Sequence, residues 1–164
     1  MEGIMVFKPR QSTGWLSLVV LALIIIGVGV SAVVGEGTSQ VIGAFFILLG
    51  IYFALLAVWW PTMRYELDHE SLTLVYGQAI KYRILLESIK SMKRVDLPLS
   101  LWSSMRLPGV ALFTVPYADL GPIKMCSTAA LKGIFLIETD HGFYGLTPEG
   151  EDHLAAAVQA RLRR

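Results

Sequence analysis

Two long uncharged runs constrain the fold of this chain more than any other feature. No charged residue occurs from Gln11 to Gly35 or from Gly37 to Met63. The apolar cores of these runs, 15–34 and 41–60, are 20 residues each. A helix of about 20 residues crosses the roughly 30 Å hydrocarbon layer of a bilayer. The first core holds 13 Leu, Ile and Val residues, each of which favours membrane insertion by roughly 0.3–0.6 kcal/mol. The sequence therefore predicts two transmembrane helices.

A cleaved signal peptide is the alternative interpretation of the first run, because Val30-Ser31-Ala32 resembles a small-residue cleavage site. The apolar region of a signal peptide is about 7–15 residues long, which is shorter than this run. A second full run also follows almost at once. We therefore favour a membrane span.

The segment between the runs, residues 35–40, is short and has the composition of a turn. The two spans must then be antiparallel neighbours. Lys8 and Arg10 precede the first span and Arg64 follows the second, whereas the connecting segment carries only Glu36. The positive-inside bias predicts a multi-pass membrane protein with both termini in the cytoplasm.

Aromatic and basic residues flank the spans at the predicted cytoplasmic interface. The membrane-interface candidates are Trp15, Trp59, Trp60 and Arg64. Small residues also recur at helical spacing in both runs, which lets helix backbones approach closely within the hairpin or between copies. They are Gly27, Ser31 and Gly35 in the first run and Gly43, Gly50 and Ala57 in the second.

The 104 residues after Trp60 suffice for one independent core. They carry 12 Lys/Arg and 11 Asp/Glu, so their net charge of +1 argues against generic nucleic-acid binding. The single cysteine, Cys126, excludes an internal disulfide and fits a reducing cytoplasm. We divide the chain into an N-terminal cytoplasmic segment, 1–13, a helical hairpin, 14–60, and a cytoplasmic domain, 61–164.

Short stretches of strand-forming residues separated by turn residues fill most of this domain. Short turns predict antiparallel pairing for the first strands. Residues 96–109 contain Pro98 and Pro108 and form no continuous element. The strands are predicted at 62–67, 72–76, 79–85, 89–95, 110–117, 122–128, 133–139 and 143–146.

An amphipathic helix is predicted to close the chain. Thr147 is its expected N-cap and Pro148 its first residue. Leu154, Val158 and Leu162 recur every four residues and should form its packing stripe. The sequence thus predicts seven or eight strands followed by one helix.

Three stretches carry a resemblance to a known family: residues 64–74, residues 86–89, and residues 135–139 leading through 144–148 into the helix. In this order they resemble bacterial pleckstrin-homology-like (PH-like) domains. The resemblance implies an antiparallel β-barrel or sandwich with a C-terminal helix after a two-span transmembrane hairpin, and a scaffolding role. It also implies that the membrane is the inner (plasma) membrane of a prokaryote. Eukaryotic relatives bind phosphoinositides through a basic first hairpin loop. The corresponding loop here, Asp68-His69-Glu70, is acidic and departs from that pattern.

We find no catalytic constellation in the sequence. His69, His141 and His153 match no zinc-ligand spacing, and neither a nucleophile elbow nor a phosphate-binding glycine loop is present. Cys126 alternates with apolar neighbours, which is typical of a packed thiol. The sequence therefore predicts no catalytic residue, no metal and no cofactor.

Two groups of residues are candidates for contact with a partner or with lipid. The first is a set of basic strand residues, which are either a solvated face or an anionic-lipid contact. The second lies in 96–109, which either plugs the domain or meets the membrane or a protein partner, because it is unusually apolar for a loop. The candidates are Lys81, Arg83, Lys90, Lys93 and Arg94 in the first group and Leu101, Trp102 and Arg106 in the second.

These observations favour a membrane-anchored, non-catalytic binding or assembly module. Its expected partners are the lipid bilayer and either another protein or further copies of this chain, but no nucleic acid. An anionic-lipid sensor that uses the basic face is one alternative. A non-catalytic subunit of a membrane enzyme complex is the other.

Overall fold

The computed structural model describes residues 3–35, 40–97, 106–117 and 120–163. Helices α1 (Gly14–Val34) and α2 (Gln40–Val58) are both long and apolar enough to cross a membrane. Helix α2 ends two residues before the predicted end of the second span, and a turn of 3₁₀ helix, Trp60–Thr62, follows. Pro61 accounts for this, because it has no N–H and disfavours the α conformation of the residue before it.

The two helices pack closely through three glycines. A Cβ atom on Gly29 would lie 2.9 Å from the carbonyl oxygen of Gly43, and one on Gly43 would lie 2.8 Å from that of Gly29. Gly50 faces Ala22 and Ile26 of α1 in the same way. Packing within the hairpin is confirmed for Gly43 and Gly50 and is wrong for Gly27, whereas a contact between copies through the Gly27 stripe stays a prediction. Gly27 has open space around it, since the face that packs carries Ala22 and Gly29 instead.

A four-stranded antiparallel sheet follows the hairpin, in the order β1-β2-β3-β4. Its alternating pattern is clearest in the last strand, where Ile80 and Ile84 are buried while Lys81 and Arg83 are exposed. A 3₁₀ turn, Leu86–Ser88, leads out of it. The strands are β1 (Met5–Phe7), β2 (Arg64–Leu67), β3 (Ser71–Tyr76) and β4 (Ile80–Leu85).

A six-stranded sheet packs against the first, in the order β5-β9-β10-β8-β7-β6. All its pairings are antiparallel except the one between β8 and β10. These two strands are parallel because β10 lies between β8 and β9 and runs antiparallel to β9. The strands are β5 (Ile89–Val95), β6 (Arg106–Leu107), β7 (Val110–Tyr117), β8 (Gly121–Ser127), β9 (Ile134–Thr139) and β10 (Gly142–Leu146).

The second sheet is buried on both faces at β9. Phe135 and Ile137 of β9 face the main core between the sheets, whereas Ile134 and Leu136 face a second apolar cluster on the other side. Burial on both faces explains why β9 reads as a continuous apolar run rather than an alternating one. The predicted fold class, a helical hairpin followed by a PH-like sandwich with a C-terminal helix, is confirmed.

The N-terminal segment joins the β domain, by which we mean the two sheets and the C-terminal helix. Strand β1 pairs with β2, with Phe7 opposite Tyr65. The chain then continues along residues 147–149, where Arg10 N donates to Thr147 O at 2.7 Å and Glu149 N donates to Lys8 O at 2.8 Å. Residues on both sides of the hairpin therefore belong to the same β domain, which the sequence analysis did not anticipate.

The C-terminal helix α3 (Glu151–Leu162) begins three residues later than expected from a Thr147 N-cap. Thr147 is instead buried in a polar cluster, where its Oγ1 accepts a 2.8 Å hydrogen bond from Thr128 N. Gly150 occupies the N-cap position with a φ of 81°. Leu154 and Val158 are buried as predicted, but Leu162 is 44% exposed because the last turn passes the edge of the core.

Candidate functional site

The end of α2 is bonded directly to the β domain. The Tyr76 hydroxyl donates to the carbonyl oxygen of Leu56 in the last turns of the helix. Gly77 N donates to Thr62 Oγ1 at 2.8 Å, and that hydroxyl donates in turn to Trp59 O at 2.6 Å. The Trp59 ring lies against Gly77, whose φ of 51° and lack of a side chain permit the contact. The turn between β3 and β4 is thus fixed to the base of α2.

The beginning of α1 is fixed to the β domain as well. Ser12 Oγ donates to Gly109 O at 2.6 Å, and Ser17 Oγ donates to Pro108 O at 2.8 Å. Leu18 of α1 and Leu56 of α2 are both fully buried in the main core. The hairpin base is therefore part of the hydrophobic core of the β domain, rather than a flexible tether.

We expect Thr62→Val to loosen this junction. The substitution removes the acceptor of Gly77 N and the donor to Trp59 O. Leaving such groups unpaired in a partly buried site costs about 1–3 kcal/mol. The melting temperature of the full chain in detergent should fall, and protease cleavage near the junction should become faster. Thr73→Val, at a half-buried position of β3, is the matched control. Equal effects of the two variants would contradict the assignment.

These contacts orient the β domain with respect to the hairpin. Strand β3 begins at Ser71 and reaches the helices at Tyr76, so its two ends are roughly 17 Å apart at about 3.3 Å per residue. The loop Asp68–Glu70 therefore lies at the end opposite the hairpin. We call this the far end, and the end that contacts the helices the helix-facing end. The loop that is basic in eukaryotic relatives thus points away from the hairpin.

A groove of about 430 Å³ lies at the helix-facing end, between the N-terminal segment and the turn after α2. Its charged residues are Lys8, Arg10, Arg64 and Glu149, so positive charge predominates. Trp60 lies on its helix side. We call this the junction groove. One wall is the segment before α1, and the other is the turn after α2. The groove therefore opens where the hairpin meets the β domain.

A second groove of about 490 Å³ lies at the far end. It combines the carboxylates of Glu70 and Glu87 with Leu85 and Leu162, which are 39% and 44% exposed. Arg161 also lines it, and the Nε atom of this residue is buried with no hydrogen-bond partner among the described residues. We call this the distal groove. It offers an apolar surface with two carboxylates and one guanidinium, so negative charge predominates slightly, and it lies away from the hairpin.

The structure does not bring the predicted basic residues together on one face. Lys81 lies near the helix-facing end of β4, and Arg83 is in mid-strand, where its Nε donates to Ser71 Oγ at 3.1 Å. Lys90 pairs with Asp140 at 2.7 Å near the far end, and this hydrogen bond lowers the pKa of Asp140. Their role as lipid or partner contacts stays a prediction.

The remaining candidates on β5 and in 96–109 are distributed differently. Lys93 is exposed on β5, and next to it Arg94 contacts Glu151 of α3 at 3.8 Å. The backbone of Arg106 lies in β6, opposite Ala111. Leu101 and Trp102 lie outside the described residues, so the choice between a plug and an interface stays open.

The predicted membrane-interface residues surround the base of the hairpin. Trp15 is 43% exposed on the first turn of α1. Trp59 and Trp60 are half-buried, and the Trp60 ring lies against Gly14. Arg64 pairs with Glu66 at 2.6 Å at the start of β2. Whether they meet lipid stays a prediction, and the structure adds that Trp59 and Trp60, which follow α2, also join the helix to the domain.

The described part of the chain contains no group of three or more His, Cys, Asp or Glu residues that could hold a metal ion. The histidines lie on three separate elements: the β2–β3 loop, the β9–β10 turn and α3. Cys126 is fully buried, as predicted for a packed thiol, and its Sγ lies 3.9 Å from Val75 O. Burial raises the pKa of Cys126 to about 12, so its nucleophilic thiolate is disfavoured.

We expect the stability of the β domain to fall as the pH rises above about 9. The Cys126 pKa is raised from 9.0 to about 12, so above pH 9 the unfolded chain releases a proton that the folded chain keeps. Burial also raises the pKa of Tyr65 and Tyr76, so their deprotonation in the unfolded chain lowers the stability further at higher pH. Melting curves of the full chain at about pH 8 and about pH 10.5 test this, and Cys126→Ala should weaken the dependence. A melting temperature that is constant over this range would contradict it.

Sequence reasoning missed the two grooves. Lys8 and Arg10 were noted only for topology, although they line the junction groove with Arg64. The pattern of strand-forming residues in Met5–Phe7 was the available signal that the N-terminal segment reaches the β domain. The distal groove joins the β2–β3 loop to the end of α3, a contact that no local pattern indicates.

Comparison with known proteins supports the resemblance noted above. Residues 63–162 match the family model described as bacterial PH domain. No curated protein and no solved structure matches the chain. The matched segment covers more than half of the sequence and contains every strand from β2 to β10 together with α3. The chain therefore belongs to the bacterial PH domain family.

Proposed function

We propose that this chain is a membrane-anchored, non-catalytic binding and assembly module. In this proposal the hairpin spans a prokaryotic inner membrane, and the PH-like domain lies on the cytoplasmic side. The observation that carries the proposal is the direct packing of both helix bases into the core of the domain through Leu18 and Leu56. Such a joint holds the domain at one orientation, which suits the presentation of a surface to another membrane component.

The exposed surface of the hairpin supports its placement in a membrane. Large apolar side chains point outward on both helices, for example Leu23, Phe45 and Leu48, which are 65%, 60% and 67% exposed. Helices that are apolar on all sides need lipid or protein around them. Exposed apolar surface of this extent would promote aggregation in water, so it favours a bilayer over an aqueous setting.

The expected topology is testable by cysteine labelling. Because Cys126 is buried, the native chain provides a background that reacts slowly. A cysteine at Thr38 should react with an impermeant maleimide in intact cells, whereas one at Arg163 should react only after lysis. The basic residues Lys8, Arg10 and Arg64 flank the spans and underlie this expectation. Labelling at Arg163 alone in intact cells would contradict the topology.

The distal groove is the surface that we propose for a protein partner. Its exposed Leu85 and Leu162 lie beside Glu70 and Glu87, which suits a partner segment with apolar side chains flanked by basic ones. Because the groove lies at the far end, a partner could bind it without displacing the hairpin from the membrane. The acidic character of this end argues against binding of anionic lipid there.

Site-specific photocrosslinking in native membranes tests this function. A photoreactive amino acid in place of Leu85 should form one defined adduct, identified by mass spectrometry. Gln78, exposed at the helix-facing end, provides the matched control and should not form that adduct. Replacing Glu70 and Glu87 with glutamine should reduce the adduct from position 85. No adduct, or the same adducts from positions 85 and 78, would contradict the proposed role of the distal groove.

A further inference from the structure

The junction groove is built mainly by residues outside the segment that matches the family model. Lys8 and Arg10 precede the hairpin, and Trp60 and Thr62 follow it, whereas the matched segment begins at residue 63. The groove is thus a feature of how this hairpin and this N-terminal segment meet. Membership of the family does not by itself imply it.

Two of the three cations of this groove are held in place by hydrogen bonds within the protein. Arg10 donates to the carbonyl oxygens of Lys132 and Gly133 at 3.5 and 3.4 Å. Carbonyl acceptors orient a guanidinium without neutralising its charge. Arg64 forms an ion pair with Glu66 at 2.6 Å and donates to Thr62 O at 3.3 Å, so it is held in place and its charge is partly offset. Lys8 is exposed, and the three ion pairs among the described residues do not include it.

The groove also lies at a defined depth if the hairpin spans the membrane. Trp60 and Pro61 lie two and three residues after the end of α2, and Gln11 lies three residues before α1. The groove then opens at the level of the phospholipid headgroups. At this level the cations of the groove match a lipid phosphate, and the indole ring of Trp60 matches the top of the hydrocarbon layer.

We propose that the junction groove binds the phosphate headgroup of one anionic phospholipid. Lys8 and Arg64 contact the phosphate from the two walls, so the lipid links the N-terminal segment to the turn after α2. The bound lipid thereby stabilises the joint between hairpin and domain. This inference rests on the proposed membrane location, but not on the proposed protein partner at the distal groove.

The test is lipid binding by the purified full chain in a neutral detergent. Phosphatidylglycerol is titrated in mixed micelles and retained lipid is measured by native mass spectrometry, with phosphatidylcholine and inorganic phosphate as comparison probes. Each basic side chain near anionic lipid contributes roughly a five-fold factor in affinity, so the double variant Lys8→Gln/Arg64→Gln should bind phosphatidylglycerol roughly 30-fold more weakly. Lys90→Gln, at the far end, is the matched control and should bind like the native chain.

The outcomes separate this inference from the proposed function. Selective retention of phosphatidylglycerol that is lost only in the double variant supports the inference. Three results would overturn it: equal retention of both phospholipids, equal affinity of the native chain and both variants for phosphatidylglycerol, or binding of inorganic phosphate as tight as that of phosphatidylglycerol. Extraction of the native chain from membranes by alkaline carbonate would overturn the membrane location itself. A chain that resists carbonate and binds lipid alike in all variants would refute the headgroup site alone.

Discussion

Val158→Asp should leave the β domain unable to fold, which is the largest effect that we expect from any single substitution. Val158 is fully buried on α3, where it belongs to the main core together with Leu154. Removing its apolar surface from the core costs roughly 1.5–3 kcal/mol, and burying an unpaired carboxylate costs several kcal/mol more. Domains of this size are stable by only about 5–15 kcal/mol, so most of the available stability would be lost.

Ala156→Asp is the matched control, because residue 156 is exposed on the same helix. We expect this variant to melt within a few degrees of the native chain, whereas Val158→Asp should show no cooperative transition. Thermal melting in detergent and limited proteolysis of the full chain measure the difference. If Val158→Asp melted like the control, α3 would not complete the core as the structure places it.

Gly43→Val should separate the two helices of the hairpin. A Cβ at this position would lie 2.8 Å from the carbonyl oxygen of Gly29 and 3.0 Å from the backbone nitrogen of Val33. Backbone atoms cannot move aside as a flexible side chain does, so the helices must shift along their whole contact. Overpacking of this kind typically costs about 1–3 kcal/mol. Because the helix bases belong to the main core, the melting temperature of the β domain should fall as well.

Gly27→Val separates the effect of packing from the effect of losing a glycine. Gly27 has open space around it, so valine should fit there without displacing the other helix. Both substitutions place the same side chain in an apolar helix. Cysteine crosslinking between α1 and α2 and the melting temperature of the full chain compare the two variants. Similar losses from both would mean that the hairpin does not pack through Gly43.

Local patterns made most of the elements predictable. The two helices follow from uncharged runs long enough to cross a bilayer, which depend on nothing elsewhere in the chain. Strands β2 to β5 and β7 to β10 follow from short apolar stretches bounded by turn residues, such as Gly142, whose φ of 117° is one that glycine adopts readily. The buried stripe of Leu154 and Val158 followed from helical periodicity.

Prediction was less successful where a residue had a competing tertiary role. Thr147 has the composition signal of an N-cap, but its hydroxyl bonds to Thr128 in the core, so the helix starts later. Gly27 has the spacing of a packing glycine, but the relative rotation of the helices selects Gly29 instead. In both cases the local pattern predicted the correct kind of role, an N-cap or a packing glycine. Contacts with distant residues determined which position takes that role.

The apolar hairpin, the β-rich domain and the C-terminal helix can be predicted from the sequence, because hydrophobic length and periodicity are local properties. How these parts are joined depends on tertiary contacts. The pairing of β1 with β2, the bond from Ser12 to Gly109 and the burial of Leu18 and Leu56 connect residues far apart in sequence. These contacts set which end of the domain faces the hairpin, and they form both grooves, because a groove exists only where separate segments meet.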